Sequence, residues 1–242
     1  MSIIELFYFG DGGWGALLLS ALAMTLSLAV AGMLLGMLAG IGGAYAALSG
    51  VPALRLLARI YTTLLRGIPD LLVIYLFYFG SSTVLTAVSR FFGSEGFVGV
   101  PEFFIGVCAL GIVAGAYLTE VFRGAIQAID KGEIEAALAF GMTMMQRTRR
   151  IVLPLAAKHA LPGMVNIWQM VLKDTSLISI IGLVELMRQA QIAGGSTHKY
   201  FTFYMAAAVI YLFVSWLSGR VFAKAERVTM RSVTRDEEGK AC

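Results

Sequence analysis

The chain is short of charge, cysteine and histidine, and each shortage removes a class of function. Only 14% of its 242 residues are Asp, Glu, Lys or Arg, where a soluble domain carries about 25%, and none lies between Asp11 and Arg55. So long a stretch without charge belongs in lipid. The two cysteines, Cys108 in an apolar run and Cys242 at the end of the sequence, form no Cys-x-x-Cys pair, which argues against a disulfide framework or a zinc site. His159 and His198 are the only histidines, and no His-Glu-x-x-His surrounds them; neither is a candidate ligand or catalyst. A Gly-x-x-x-x-Gly-Lys-Ser/Thr phosphate loop is also missing, so the chain does not hydrolyse ATP by that route.

What is present is hydrophobic: 58% of residues are apolar and the mean hydropathy is +0.80. With about 20 apolar residues needed per helical crossing, the length suits one all-α bundle over residues 1–220, followed by a basic and charged tail over 221–242. Five spans can be placed: about Leu17–Ala44, Leu71–Val88, Phe103–Phe122, Leu161–Leu183 and Phe201–Leu217. Glu5 and Asp11 are the only charges ahead of the first, which reads as an uncleaved span and not as a signal peptide. Gly32, Gly36 and Gly40 recur every four residues there and predict a face for close helix contact. The second span is bounded by Arg90 and a Gly-rich loop reaching Pro101, and Lys173-Asp174-Thr175-Ser176 interrupts the fourth.

Charge gives the bundle a direction. Arg55, Arg59, Arg66, the third-to-fourth connection and the tail hold 15 of the 19 Lys and Arg, and the positive-inside rule puts them in the cytoplasm, with the N-terminus outside and the C-terminus in. The net charge of +4 is spread over several connections, which argues against nucleic acid and for topology signalling. The tail begins as a basic helix extension and is expected to fray toward Arg235–Lys240.

The cytoplasmic connection, about 124–160, is the most informative stretch. Glu135-Ala136-Ala137-Leu138-Ala139-Phe140 is a helix-forming run that meets Gly141, a residue suited to a left-handed cap, and Pro154 marks a second break. Two short helices separated by a turn are predicted. Small side chains on the first would let another protein approach closely, and Glu135 could accept hydrogen bonds from it or from its own loop.

The order Glu-Ala-Ala, three residues, Gly, nine residues, Ile, one residue, Leu-Pro is complete in Glu135, Ala136, Ala137, Gly141, Ile151, Leu153 and Pro154. It resembles the EAA loop of ABC importer permeases. Arg66-Gly67-Ile68-Pro69, Gly115-Ala116-Tyr117 with Glu120 and Arg123, and Lys173-Asp174-Thr175-Ser176-Leu177 look like motifs of the polar amino-acid uptake branch, over about residues 20–220. Within it the likeness is to the paired permeases for histidine, for lysine/arginine/ornithine and for the opines octopine and nopaline, favoured by Asp70 and Gly194-Gly195-Ser196-Thr197.

The resemblance implies a type I ABC importer permease fold in a bacterial inner membrane. It also implies import of a polar, basic amino acid or opine, with the EAA loop docked on a separate ATPase that binds ATP and Mg. The implied partners are two ATPase copies, a second homologous permease favouring a heterodimer, a periplasmic solute-binding protein and membrane lipid. The chain itself would be no enzyme and hold no cofactor or metal. An ion-gradient-driven amino-acid carrier is the alternative, supported only by intramembrane acids.

Charges at membrane depth are costly, so Glu120, Lys173 and Asp174, with Thr175 and Ser176, are expected to face the bundle or a water-filled path. Glu120 can pair with Arg123 at i,i+3. Lys173 and Asp174 point about 100° apart on a helix and cannot share one partner easily. Arg66 and Asp70 pair only if a helix continues through Pro69. Tyr117 and Trp168 could stack on a solute or simply pack.

Overall fold

The computed structural model describes residues 6–10, 13–91 and 99–238, with side chains except those of 88–91 and 225–238. Glu5, Asp11, the side chain of Arg90, most of the Gly-rich loop and the tail from Gly239 lie outside the described residues. The elements are all helical: α1 (Gly15–Leu48), α2 (Pro52–Gly67), α3 (Asp70–Phe91), α4 (Glu102–Gln127), α5 (Lys131–Ala139), α6 (Met144–Arg147), α7 (Leu153–Asp174), α8 (Leu186–Thr197) and α9 (Tyr200–Glu238).

The glycine face predicted for the first span is the central seam. α1 is apolar all round and about 51 Å long at 1.5 Å per residue. Its Gly32, Gly36 and Gly40 lie against Leu110, Ala114 and Leu118 of α4, where an added Cβ would come within 3.2, 2.9 and 2.6 Å of the facing Cβ atoms. Both helices step by four residues along the contact, so small residues on α1 admit the α4 backbone turn by turn. Gly111 and Gly115 return the fit, meeting Leu35 and Ala39. Around this seam Ala29, Leu118, Val171 and Leu172 form one core cluster with Val214 of α9.

Four helices among the described residues are long and apolar enough to cross a membrane: α1, α3, α4 and α9, the last over Tyr200–Lys224. The fourth sequence span does not meet that measure. It is built from α7 followed by a 3₁₀ turn, Thr175–Ile181, that ends on Gly182 at φ 103°, so the polar Lys173–Ser176 stretch is where the helix changes type. Ile167, Val171 and Leu172 of α7 are nevertheless buried within the bundle.

Three expectations need correction. Pro154 does not break the chain: α6 passes through a π-helical turn, Thr148–Val152, into α7 without leaving helical dihedrals. The wider turn precedes Pro154, where a missing donor and the ring's clash with the preceding turn are absorbed. Residues 186–197, which fall in the connection between the fourth and fifth sequence spans, are not loop but form α8, whose Leu186, Ala190 and Ala193 are buried against Phe203 and Ala207 of α9. His198 closes it in the left-handed region at φ 57°. The tail is helical through Glu238, continuous with α9, rather than frayed from Arg235.

Candidate functional site

The loop between α4 and α7 is held in shape by its own backbone caps. The Asp130 carboxylate accepts from the Gly132 N–H at 2.8 Å and opens α5. At its far end Gly141 sits at φ 69°, with Gly141 N–H donating to Leu138 O and Met142 N–H to Ala137 O. That is the paired closure of a Schellman motif, and it is the cap the sequence predicted. Thr143 then starts α6 with a reciprocal capping box to Gln146.

Because the caps and not packing fix this loop, it can leave apolar groups outside. Phe140 is 84% exposed and Met144 and Met145 are 75% exposed, with Leu138 and Leu153 also open. Glu135 and Ala136 are exposed while Ala137 is buried, so the Glu-Ala-Ala triplet straddles the surface and the underside of α5. Ile151 lies half-buried in the π-turn and Pro154 is exposed one turn along. No hydrogen bond to the Glu135 carboxylate occurs among the described residues.

A second polar region runs between α2 and α4. Pro52 starts α2 in the first turn, where its missing N–H costs nothing; Ile68 ends it in an extended conformation, as the residue before Pro69 must. The break turns Arg66 away from Asp70. Instead of an i,i+4 ion pair, the Arg66 guanidinium lies over the Tyr117 ring, 5.4 Å from its centroid. The expected Glu120–Arg123 pair does form, Arg123 Nε donating to Glu120 Oε2 at 3.0 Å with the second guanidinium nitrogen on the same oxygen. Arg123 also donates to Gln127 at 3.0 Å.

Lys173 and Asp174 diverge as helix geometry requires. Lys173 is exposed and Asp174 half-buried, the latter within electrostatic reach of Asp70 at the start of α3. Thr175 is buried, donating to Leu172 O at 2.7 Å and lying 3.4 Å from the Tyr211 hydroxyl. Ser176 returns its hydroxyl to Lys173 O. The structure thus brings Asp70 near Asp174 and Arg66 onto Tyr117, and leaves Lys173 facing outward. Trp168 packs near Phe222 at 6.1 Å between ring centroids.

One polar centre escaped the sequence reading. Glu185 is fully buried and caps α8, accepting from the Arg188 N–H at 2.8 Å and the Met187 N–H at 3.0 Å. The Tyr211 hydroxyl of α9 donates to it at 2.9 Å, and Thr25 of α1 lies 3.4 Å away while accepting from the Leu186 N–H. One carboxylate therefore ties three helices together. Its only trace in the sequence is a single acid between Leu183-Val184 and Leu186-Met187, just past the end of the fourth span.

Residues 32–225 match the family described as "Binding-protein-dependent transport system inner membrane component". The chain belongs to that family. Its relatives include the octopine transport system permease protein OccQ of Agrobacterium tumefaciens (strain Ach5), 55% identical over 97% of this chain and 99% of the relative. The nopaline permease NocQ of Agrobacterium fabrum is 47% identical over 95% and 98%. The histidine/lysine/arginine/ornithine permease HisQ of Escherichia coli (strain K12) is 40% identical over 89% and 94%.

Among solved structures, a chain of an amino acid ABC transporter crystallised with histidines is 34% identical with a TM-score of 0.76, covering 88% of this chain and 94% of that one. Chains of the inward-facing MetNI methionine transporter in two crystal forms share the fold at 20% and 19% identity, with TM-scores of 0.62 and 0.66. This permease is therefore a multi-pass inner-membrane component with the type I ABC importer fold, in the polar amino-acid and opine branch. Membership implies an ATPase on another chain and a binding protein, and nothing supports the ion-driven carrier.

Proposed function

We propose that the chain is the transmembrane subunit through which an opine or a basic amino acid enters the cell. The observation that carries this reading is the loop from Asp130 to Pro154: a capped, solvent-facing surface whose exposed Leu138, Phe140, Met144 and Met145 have no cover among the described residues. Exposed apolar patches of this kind mark protein contacts. Glu135, Ala136, Ala137, Gly141, Ile151, Leu153 and Pro154 form the docking element for the ATPase, which holds ATP and Mg. Two ATPase copies, a second homologous permease in a heterodimer and a periplasmic binding protein complete the importer. The names of the relatives, octopine, nopaline and histidine/lysine/arginine/ornithine permeases, support the solute class.

In this reading α7 with its 3₁₀ turn is the fifth crossing, the N-terminus is outside, and residues 1–220 form the permease domain with 221–242 as a cytoplasmic tail. The solute passes the side of the bundle bearing Arg66, Asp70, Tyr117, Glu120, Arg123 and Lys173–Ser176, and loop displacement on ATP binding tilts α4 and α7 between two states. The test is ATP-driven uptake by the reconstituted importer. Glu135→Ala and Gly141→Asp are expected to remain in the membrane and lose uptake; full transport by both variants overturns the docking assignment.

A further inference from the structure

The polar groove between α2 and α4 carries more positive charge than the transport of a purely cationic solute accounts for. It consists of two adjoining hollows of about 510 and 460 Å³ that share Arg59 and Glu120. Arg55, Arg59 and Arg123 line the first and Arg66 the second, so four guanidinium groups face one carboxylate. A lysine or arginine side chain is repelled here, whereas a carboxylate is attracted.

Three of the four arginines are engaged. Arg123 is held by Glu120 and Gln127, Arg66 lies on Tyr117, and Arg55 donates to Ser49 O at 3.3 Å. The Arg59 guanidinium makes no hydrogen bond or ion pair among the described residues, although it lines both hollows. Its planar fork suits a carboxylate held by two parallel hydrogen bonds.

The orientation of α2 shows which environment this fork meets. Leu56, Leu57, Ile60 and Leu64 form an exposed apolar stripe, while Ala58 and Thr62 are buried and the Tyr61 hydroxyl donates to Ile112 O of α4 at 2.7 Å. Arg55, Arg59 and Arg66 form their own stripe, centred about 130° round the helix from the apolar one. Acyl chains favour the apolar stripe, which leaves the arginines toward water and α4. Beyond Arg66 the break at Pro69 leads to Asp70 and Asp174, so acid at one end is followed by a run of guanidinium groups.

We propose that Arg59 is a specificity-determining residue that receives an additional carboxylate of the passing solute, so that the importer favours a basic amino acid carrying a carboxyalkyl group over the parent amino acid. This rests on the importer reading given above. A cationic end suits the Asp70 and Asp174 side, and the added carboxylate suits the groove.

The test compares ATP-driven uptake of radiolabelled octopine and arginine by the complete importer in proteoliposomes, with one binding protein throughout. Arg59→Gln is expected to lower the octopine-to-arginine rate ratio about tenfold, the weight of a hydrogen bond to a charged group. Arg59→Lys restores part of the ratio, since it keeps the charge and loses the fork. An unchanged ratio overturns the proposal, as does equal loss of both solutes, which marks a structural role. An effect of Arg59→Gln seen only in vesicles containing anionic phospholipid also overturns it, by assigning the guanidinium to a headgroup. Wild-type importer that carries neither solute overturns the importer reading itself.

Discussion

The α1–α4 seam and the loop between α4 and α7 are opposite solutions to holding a backbone in place. Along the seam, small side chains let two helices touch so closely that Gly36 and Gly40 have no room for a methyl group; shape is fixed by contact within the chain. In the loop, shape is fixed by hydrogen-bonded caps at Asp130, Gly141 and Thr143, while Phe140 and its apolar neighbours stay open. The first region is complete in one chain. The second is capped in advance and leaves its apolar side chains open, as the proposed docking role requires.

The sharpest way to break this contrast is to load the seam. Gly40→Leu forces a branched side chain against Leu118, where even a Cβ lies 2.6 Å from its neighbour. We expect a loss of about 3 kcal/mol or more, seen as aggregation or a collapsed melting transition by size-exclusion in mild detergent; a normal transition contradicts the account of the seam. Next comes Glu185→Ala, which removes the acceptor from the Tyr211 hydroxyl and from the half-buried N–H groups of Met187 and Arg188. A cost of about 2 to 4 kcal/mol follows, with Glu185→Gln milder because the amide oxygen still accepts. Equal melting points for the two variants exclude the cap as the source of stability.

In the loop the same measurements should barely move. Gly141→Ala places a Cβ at φ 69°, at a local cost of about 1 to 2 kcal/mol; the prediction is increased hydrogen exchange at Leu138–Met142 with the melting temperature of the bundle intact. Phe140→Ser should change stability by about 0.5 kcal/mol or less yet reduce binding of the ATPase in detergent pull-downs. A large drop in melting temperature for Phe140→Ser shows that the loop is packed and not merely capped.

Much of this was legible in order. The four-residue glycine spacing on α1 marked a close-contact face because a Gly step along a helix returns to the same side, while only the structure supplied Leu110, Ala114 and Leu118 of α4 as what fills it. The Gly141 cap was readable because a single residue type suits a left-handed helix end. The Glu120–Arg123 pair was readable because i,i+3 neighbours meet on any helix. Pro154 misled for a related reason: its effect depends on the turn ahead of it, and a π-turn leaves no signature in residue type. Arg66 was sent to Tyr117 by the bend at Pro69, which spacing alone marks as doubtful without saying where the side chain goes.

The sequence by itself determined that the chain lies in a membrane, which connections are basic, and where the Gly141 cap closes its helix, since hydropathy, charge and local caps act over a few residues. Tertiary structure alone decided that Glu185 joins α1, α8 and α9, because Thr25 and Tyr211 stand 160 and 26 residues from it in sequence. It alone set the Arg59 stripe opposite Glu120, a pairing of separate helices that no local pattern encodes. Burial supplies the reason: a lone carboxylate or guanidinium takes its meaning from the donors, acceptors and water that packing places around it.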